Sequence, residues 1–342
     1  NWKPILNNPW TLNYHMAQIR HPVRLLTSDQ EAAEIADGEQ KVAALVDELS
    51  RYVNSRKIVS RQGPEALLLG ELSRSAVDSQ GREAITRIVV TVWGRQFTNI
   101  FLRFALKSQL ESRSIAIGEP DEIEYVIVTD SAGAALIMSS ELYEPLCRIC
   151  KVRVITADHL AGLSSDSRLT ESYKIALSDS VVGDLYIFIT AGFFFSREVF
   201  RTIKEKSRTH RVVLSPALRV AEETFVSDVV LSNAYDVDAR GALALAMRNE
   251  HPLTEAFCLN NSRGVVHPLP AQTLYRLKDG YVGRWTVMHP IAVRIASPNQ
   301  EISQTIEWNY ALCHMRSWAD VAVMDRIEDG LTVSLSPMNH SQ

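Results

Sequence analysis

His289 sits inside an otherwise apolar run, Trp285-Thr286-Val287-Met288-His289-Pro290-Ile291. An imidazole in such a place needs a specific partner, so it acts as a proton acceptor, as a phosphate ligand, or as a core residue with its ring nitrogens satisfied. Glu307, in Thr305-Ile306-Glu307-Trp308-Asn309-Tyr310, is open to two readings. In the first turn of a helix its carboxylate complements the helix dipole, and beside a substrate hydroxyl it works as a general base. Asp236-Val237-Asp238 has the spacing with which carboxylates hold a hard divalent cation. It directly precedes a helical stretch from Ala239 to Asn249, where Asp is a favoured cap, so capping is expected and no metal is assigned. Cys147-Arg148-Ile149-Cys150 has CxxC spacing but follows a helix instead of opening one, which argues against a low-pKa redox thiolate. Cys258 and Cys313 are too far apart to complete a zinc site by spacing, and the four cysteines read as structural.

Trp93-Gly94-Arg95 closes a β-branched run, and its one glycine is too few to wrap a pyrophosphate. The indole either plugs the core or offers a flat face to a ring. No G-x-G-x-x-G, G-x-x-x-x-G-K-[ST] or G-x-S-x-G occurs at a strand-helix junction, which removes the usual signals of dinucleotide binding, P-loop phosphate handling and α/β-hydrolase catalysis. Thirty-six Lys and Arg against forty Asp and Glu leave a net charge of −4, so no global basic footprint favours nucleic acid. The apolar runs are too short and too interrupted by charge to span a bilayer, and four cysteines make no disulfide framework. A reduced, soluble, cytoplasmic protein is expected.

Elements must hold these residues in place, and the chain divides in two. Residues 1–85 carry no convincing strand and read as a helical accessory region. Val42, Leu45, Val46, Leu49 and Val53 form an amphipathic stripe over about Glu39 to Asn54, and a second helix is expected from Gln62-Gly63-Pro64 through Leu67, Leu68, Leu69, Leu72 and Val77. Packing, oligomerisation or a protein partner is the expected use of this region. From Ile85 the pattern alternates strands with helices, which predicts an α/β domain over 86–342 with an open, mostly parallel sheet flanked by helices. Strands are expected over Ile85 to Gly94, Glu124 to Asp130, Val152 to Asp158, Leu185 to Thr190 and Arg211 to Ser215. Helices are expected around Phe97 to Ala105, with Phe97, Ile100, Phe101 and Phe104 on one face, and from Ser131 to Cys147. The last third reads as mixed, with strands over Val265 to Lys278, Val287 to Ile295 and Leu331 to Leu335. Ligands of such sheets bind outside the carboxyl ends of the strands, so Trp93 to Arg95, Asp130 and Thr190-Ala191-Gly192 mark the place to look.

Taken together, Val92 to Arg95, Tyr125 to Asp130, Leu185 to Ser196, Arg211 to Val220, His289-Pro290 and Thr305-Ile306-Glu307 resemble a family of bacterial glycosyltransferase-like proteins, over about residues 85–336. The resemblance implies a GT-A-like fold with a nucleotide-sugar donor over the strand ends and a hydroxyl acceptor as second substrate. It places Trp93, Gly94, Arg95 and Asp130 at the nucleoside, Thr190, Ala191 and Gly192 at the diphosphate, and His289 and Glu307 at the reacting centre. Where the family pattern has Asp after a small pair, this chain has Gly192, so the carboxylate expected to hold Mn²⁺ or Mg²⁺ is missing and no cofactor is assigned. A cation can stand in for the metal at the leaving diphosphate, and Arg219 and Arg294 are the candidates. The alternative is a non-catalytic relative that binds or scaffolds through its N-terminal helices.

Overall fold

A computed structural model describes residues 23–26, 35–44, 84–261, 273–285, 288–298 and 309–339. Its strands are β1 (Val23–Leu26), β2 (Thr86–Val92), β3 (Ile123–Thr129), β4 (Lys151–Thr156), β5 (Leu185–Thr190), β6 (Phe193–Phe195), β7 (Val212–Ala221), β8 (Thr273–Leu277), β9 (Gly280–Arg284), β10 (Met288–Arg294), β11 (Val321–Val323) and β12 (Thr332–Ser336). A nine-stranded sheet has the order β4-β3-β2-β5-β10-β7-β12-β6, with β11 also on β7. Within it β10 runs antiparallel to β5 and β7, and β6 antiparallel to β12, while the other pairings are parallel. This is the expected fold class, an open and mostly parallel sheet flanked by helices.

β2, β3 and β5 are apolar on both faces because helices cover both. Ile88, Val90, Ile127 and Ile187 enter one core, and Val89, Val126, Val128 and Phe188 the other. Pairing is continuous from Thr86 opposite Ile123 and Leu185 onward, so the carboxyl ends of β2, β3 and β5 finish level. β10 brings its amino end to the same edge because it runs the other way.

Several elements depart from the sequence reading. β7 does not stop at Ser215 but continues through Pro216 to Ala221. Pro216 is tolerated because it faces Met288, where the β10 register shifts and the ladder is already interrupted. Beyond it β7 pairs with β12 instead, Ala217 opposite Thr332 through Ala221 opposite Ser336. The helix expected from Ser131 to Cys147 is two, Ser131–Met138 and Tyr143–Ile149. At the break the Ser139 hydroxyl donates to the Leu136 carbonyl, and the Ser140 hydroxyl accepts from the Leu142 N–H, local bonds that compete with the helix. The helix Gly94–Ile100 passes through a π-helical turn at Phe101–Leu106. That turn rotates the apolar face, which leaves Phe97 53% exposed while Phe101 and Phe104 are buried.

A strand also occurs where none is expected in the first 85 residues. β1 forms a separate three-stranded sheet with β9 and β8, Val23 opposite Gly283 and Leu26 opposite Gly280. The first amphipathic helix is described over residues 35–44, and there Val42 is buried. The rest of its stripe and the helix expected from Gln62 lie outside the described residues. Of the strand expected over 265–278, the part within the described residues is β8, which turns at Lys278-Asp279 into β9. No helix among the described residues is long and apolar enough to cross a membrane.

A buried histidine ties the last third to this sheet. His314 is fully buried, its Nδ1 accepts from the Ala296 N–H at 3.0 Å, and its ring meets Tyr310 edge-on at 4.6 Å. Burial, with a smaller contribution from Arg211, pushes its pKa down to about 4. The unfolded chain binds a proton as pH falls through about 6.5 while the folded chain stays neutral to about 4, so stability is full above that window and declines through it. At ~1.4 kcal/mol per pH unit the loss is about 3 kcal/mol. Urea titrations at pH 4 to 7 should show this slope in the wild type and not in His314→Phe.

Candidate functional site

The carboxyl edge of the sheet is built from local turns that leave few alternatives. After β2, Trp93 is still extended, and Gly94 adopts φ +77°, a left-handed conformation that a side chain would strain, before the chain enters its helix. The Gly94 N–H donates to Asp130 Oδ2 at 3.1 Å, and Asp130 Oδ1 accepts from the Gly133 N–H at 2.6 Å. Asp130 therefore caps the helix Ser131–Met138 and ties it to the turn after β2. Gly133 is required there, since a Cβ would lie 2.2 Å from Thr129 Oγ1. At the end of β4, Asp158 accepts from both the Ser131 N–H and the Ser131 hydroxyl, which hold its carboxyl below the usual carboxylate range.

Trp93 is half-buried and packs against the core of one sheet face. The Arg168 guanidinium lies over its ring, 5.2 Å from the centroid, while Arg168 Nη2 donates to the carbonyls of Ala161 and Leu163. The indole thus serves the core and also presents a face covered by a cation. Arg95, next in sequence, is exposed.

On the other side of β5, the turn Thr190-Ala191-Gly192 folds back into β6, and the Gly192 carbonyl accepts from the Leu335 N–H at 2.9 Å. The next row across the sheet is Phe193, Ser334 and Arg219, on β6, β12 and β7. His289 lies in the first residues of β10, which runs antiparallel to β5 and pairs with it from Ile291 opposite Phe188, so it sits toward the carboxyl end of β5. Its ring is 8% exposed and 6.1 Å from that of Phe193, centroid to centroid. Trp93, Gly94, Asp130, Thr190, Ala191, Gly192, Arg219 and His289 therefore occupy one continuous edge. Glu307 lies outside the described residues.

Arg219 is half-buried, and that burial lowers its pKa. Among the described residues no carboxylate pairs with its side chain. Arg294, the other candidate cation, is at the opposite edge. Because β10 is antiparallel, its last residue lies beside Leu185 at the start of β5. There the guanidinium donates to the carbonyls of Ser207 and Gly183 at 2.9 and 2.7 Å, so Arg294 is removed from the site.

Asp238 accepts from the Gly241 N–H at 2.7 Å and caps the helix Ala239–Arg248, as its position in the sequence implies. Asp236 pairs with Arg197 at 2.7 Å. Cys150 is buried, with its thiol pushed up to about 12 by burial and by Cys147, as suits an inert structural cysteine. Among the described residues no group of three or more His, Cys, Asp or Glu could hold a metal ion. Two residues at this edge escaped the sequence reading, Arg168 and Glu222. Arg168 carried no sequence signal, whereas Glu222 would have been found had β7 been followed past Pro216.

No family model matches the chain, and no curated protein matches it. Among solved structures it is similar to S. aureus TarS 1-349 in complex with UDP-GlcNAc, at 11% identity and a TM-score of 0.33, over 75% of this chain and 60% of that one. It is also similar to mouse xyloside xylosyltransferase 1 in its apo form, at 13% identity and a TM-score of 0.27, over 44% of this chain and 59% of that one. A mannose-6-phosphate isomerase from Helicobacter pylori aligns at 16% identity and a TM-score of 0.30, over 42% of this chain and 53% of that one. The chain spans less than two thirds of each of these proteins. Likenesses of this size decide neither activity nor substrate, which must be argued from the residues at the edge.

Proposed function

We propose that the protein is a glycosyltransferase, or a close relative of one, that takes a sugar from a nucleotide-sugar donor to a hydroxyl acceptor without a metal at the turn after β5. The observation that carries this reading is Arg219. A cation partly withdrawn from water with no carboxylate against it is unfavourable in the free protein, and such groups gather where an anion is to be bound. Its place on the strand-end edge, one row from Gly192, suits the diphosphate of a donor. The nucleoside would then lie toward Trp93, Gly94, Arg95 and Asp130, and His289 would face the reacting sugar from β10. Arg219 would supply the positive charge that stabilises the leaving diphosphate.

Gly192 favours a second reading, a binding or scaffold protein in which residues 1–85 serve as an accessory unit that recruits a partner. The absence of a carboxylate at that turn fits loss of catalysis as well as its metal independence. Calorimetry with a panel of UDP-, GDP- and dTDP-sugars separates the two. Donor binding unchanged by EDTA, with release of the nucleoside diphosphate, is the expected result. Binding without turnover supports a non-catalytic binding protein, and no binding by any donor rejects the transferase and leaves the scaffold reading. Gly192→Asp is a usable companion, because a Cβ there meets only Leu335 atoms at 3.8 and 3.9 Å, and it should confer Mn²⁺ dependence if the site descends from a metal enzyme.

A further inference from the structure

Three charged residues follow one another where β7 turns into the helix Glu222–Ser232: Arg219, Glu222 and Glu223. Glu223 is engaged, since its two carboxylate oxygens accept from the Met338 N–H at 3.1 and 3.2 Å. Glu222 is half-buried, and among the described residues its carboxylate has neither a hydrogen bond nor an ion pair. It does not pair with Arg219, although the two opposite charges are three residues apart at one strand end. Closing that pair would be the simplest way to relieve both groups. Their separation leaves a carboxylate and a guanidinium available along the same edge.

Position distinguishes what each can do. Beyond Pro216, β7 has left β10 and is flanked by β12 on one side and by residues 249–254 on the other, through the Val220–Glu250 bridge and the Thr254 hydroxyl on the Arg219 carbonyl. The candidate nucleoside groups are on β2 and β3, across β5 from this end. Glu222 opens the helix that follows directly from this end of β7, on the β7–β12 side of the edge.

We infer that Glu222 is the proton acceptor for the sugar-accepting hydroxyl, an inference that rests on the transferase reading. The hydroxyl gives its proton to the Glu222 carboxylate as its oxygen forms a bond to C1 of the donor sugar. The bond from C1 to the diphosphate oxygen breaks, and its electron pair leaves with the nucleoside diphosphate, whose charge Arg219 meets. Burial, with Glu223 adding to it, raises the Glu222 carboxyl above its ordinary range, which improves it as a base near neutral pH. The other titratable groups on elements around this turn include Asp228 on the same helix, Arg219 on β7, Glu250, His251 and Glu255 on the flanking segment, and Arg240 and Arg248 on the helix Ala239–Arg248. Arg240 pairs with Glu328, Arg248 lies 3.9 Å from Asp228, and Glu250 is held by Arg276 and Tyr281. β12 contributes no titratable side chain.

The test is nucleoside diphosphate release from the donor found by calorimetry, with p-nitrophenyl glycosides or water as acceptor. Glu222→Gln should lower kcat about 100-fold or more, leave the donor Kd within about twofold, and abolish the acidic limb of the kcat–pH profile. Glu222→Asp should recover part of the rate, and Glu223→Gln should keep the rate and retain the acidic limb, moved to lower pH because the Glu223 charge no longer raises the Glu222 carboxyl. Full turnover with an intact acidic limb in Glu222→Gln, alongside normal donor binding, overturns the role of Glu222 and leaves the transferase reading standing. An equal loss in Glu223→Gln also overturns it, since the effect would then lie in the fold of the turn. Failure of the wild-type chain to bind any donor overturns both.

Discussion

Replacing Asp184 with Ala is expected to lower the free energy of unfolding by about 3–5 kcal/mol, the largest single-site loss anticipated in this protein. Arg87 is 1% exposed in the middle of the sheet, at the edge opposite the candidate site. Its guanidinium contacts Asp184, Glu124 and the Tyr186 hydroxyl, with the last two at 2.6 and 2.7 Å. Burial alone would pull its pKa down, but Tyr186, Glu124 and Asp184 more than reverse that, so the net direction is up. Asp184 also accepts from the backbone N–H groups of Ile85 and Val181, which sets the loop before β5. Removing its carboxylate leaves Arg87 buried with only part of its compensation and frees two backbone donors. Asp184→Asn, which keeps an oxygen for those donors, should lose less. Arg87→Met with Asp184→Asn should recover part of the loss, because it removes both buried charges. Urea unfolding of the three variants measures this, and a loss below about 1 kcal/mol in Asp184→Ala would show that the network does not carry the sheet.

The strands around that network were legible for the reason that makes them stable. Leu185–Thr190 is apolar on both faces, and so is Thr86–Val92 apart from Arg87 and its ends, and an uninterrupted β-branched or aromatic run between turn residues has few other uses. The edge that gathers the candidate site was legible too, because small and polar residues end these strands. Strand direction was not. Arg294 and His289 lie on the same strand, and only the antiparallel course of β10 sends one to each edge. The strand expected over Arg211 to Ser215 continues through Pro216, whose missing N–H normally excludes it from a central strand, and nothing in the sequence marks the register shift opposite it. β1 is four residues long and pairs with β9, far away in the chain, so its existence depends on a partner that local pattern does not name. The π-helical turn that turns Phe97 outward is a matter of backbone hydrogen bonding that the apolar spacing hides.

Arg219→Met is expected to move binding and stability in opposite directions. If Arg219 receives the donor diphosphate, losing the guanidinium removes a charge-assisted contact in a partly desolvated setting. Donor affinity should then fall by at least about 30-fold, or about 2 kcal/mol. Arg219→Lys should fall between, since an ammonium keeps the charge but not the planar fork that grips two phosphate oxygens. In the free protein the same cation is half-buried with its pKa lowered by burial, and no described carboxylate offsets it. Methionine fills a similar volume without the desolvation cost, so the ligand-free melting temperature should hold or rise, by the equivalent of about 1 kcal/mol. A cation kept for structural reasons would give the reverse pattern, with lost stability and no change in binding. Weaker binding with equal or greater stability is therefore the signature of a group held in place for its ligand. Calorimetry and thermal unfolding on the same two variants decide between the two, and a drop in melting temperature with donor affinity intact would return Arg219 to the fold.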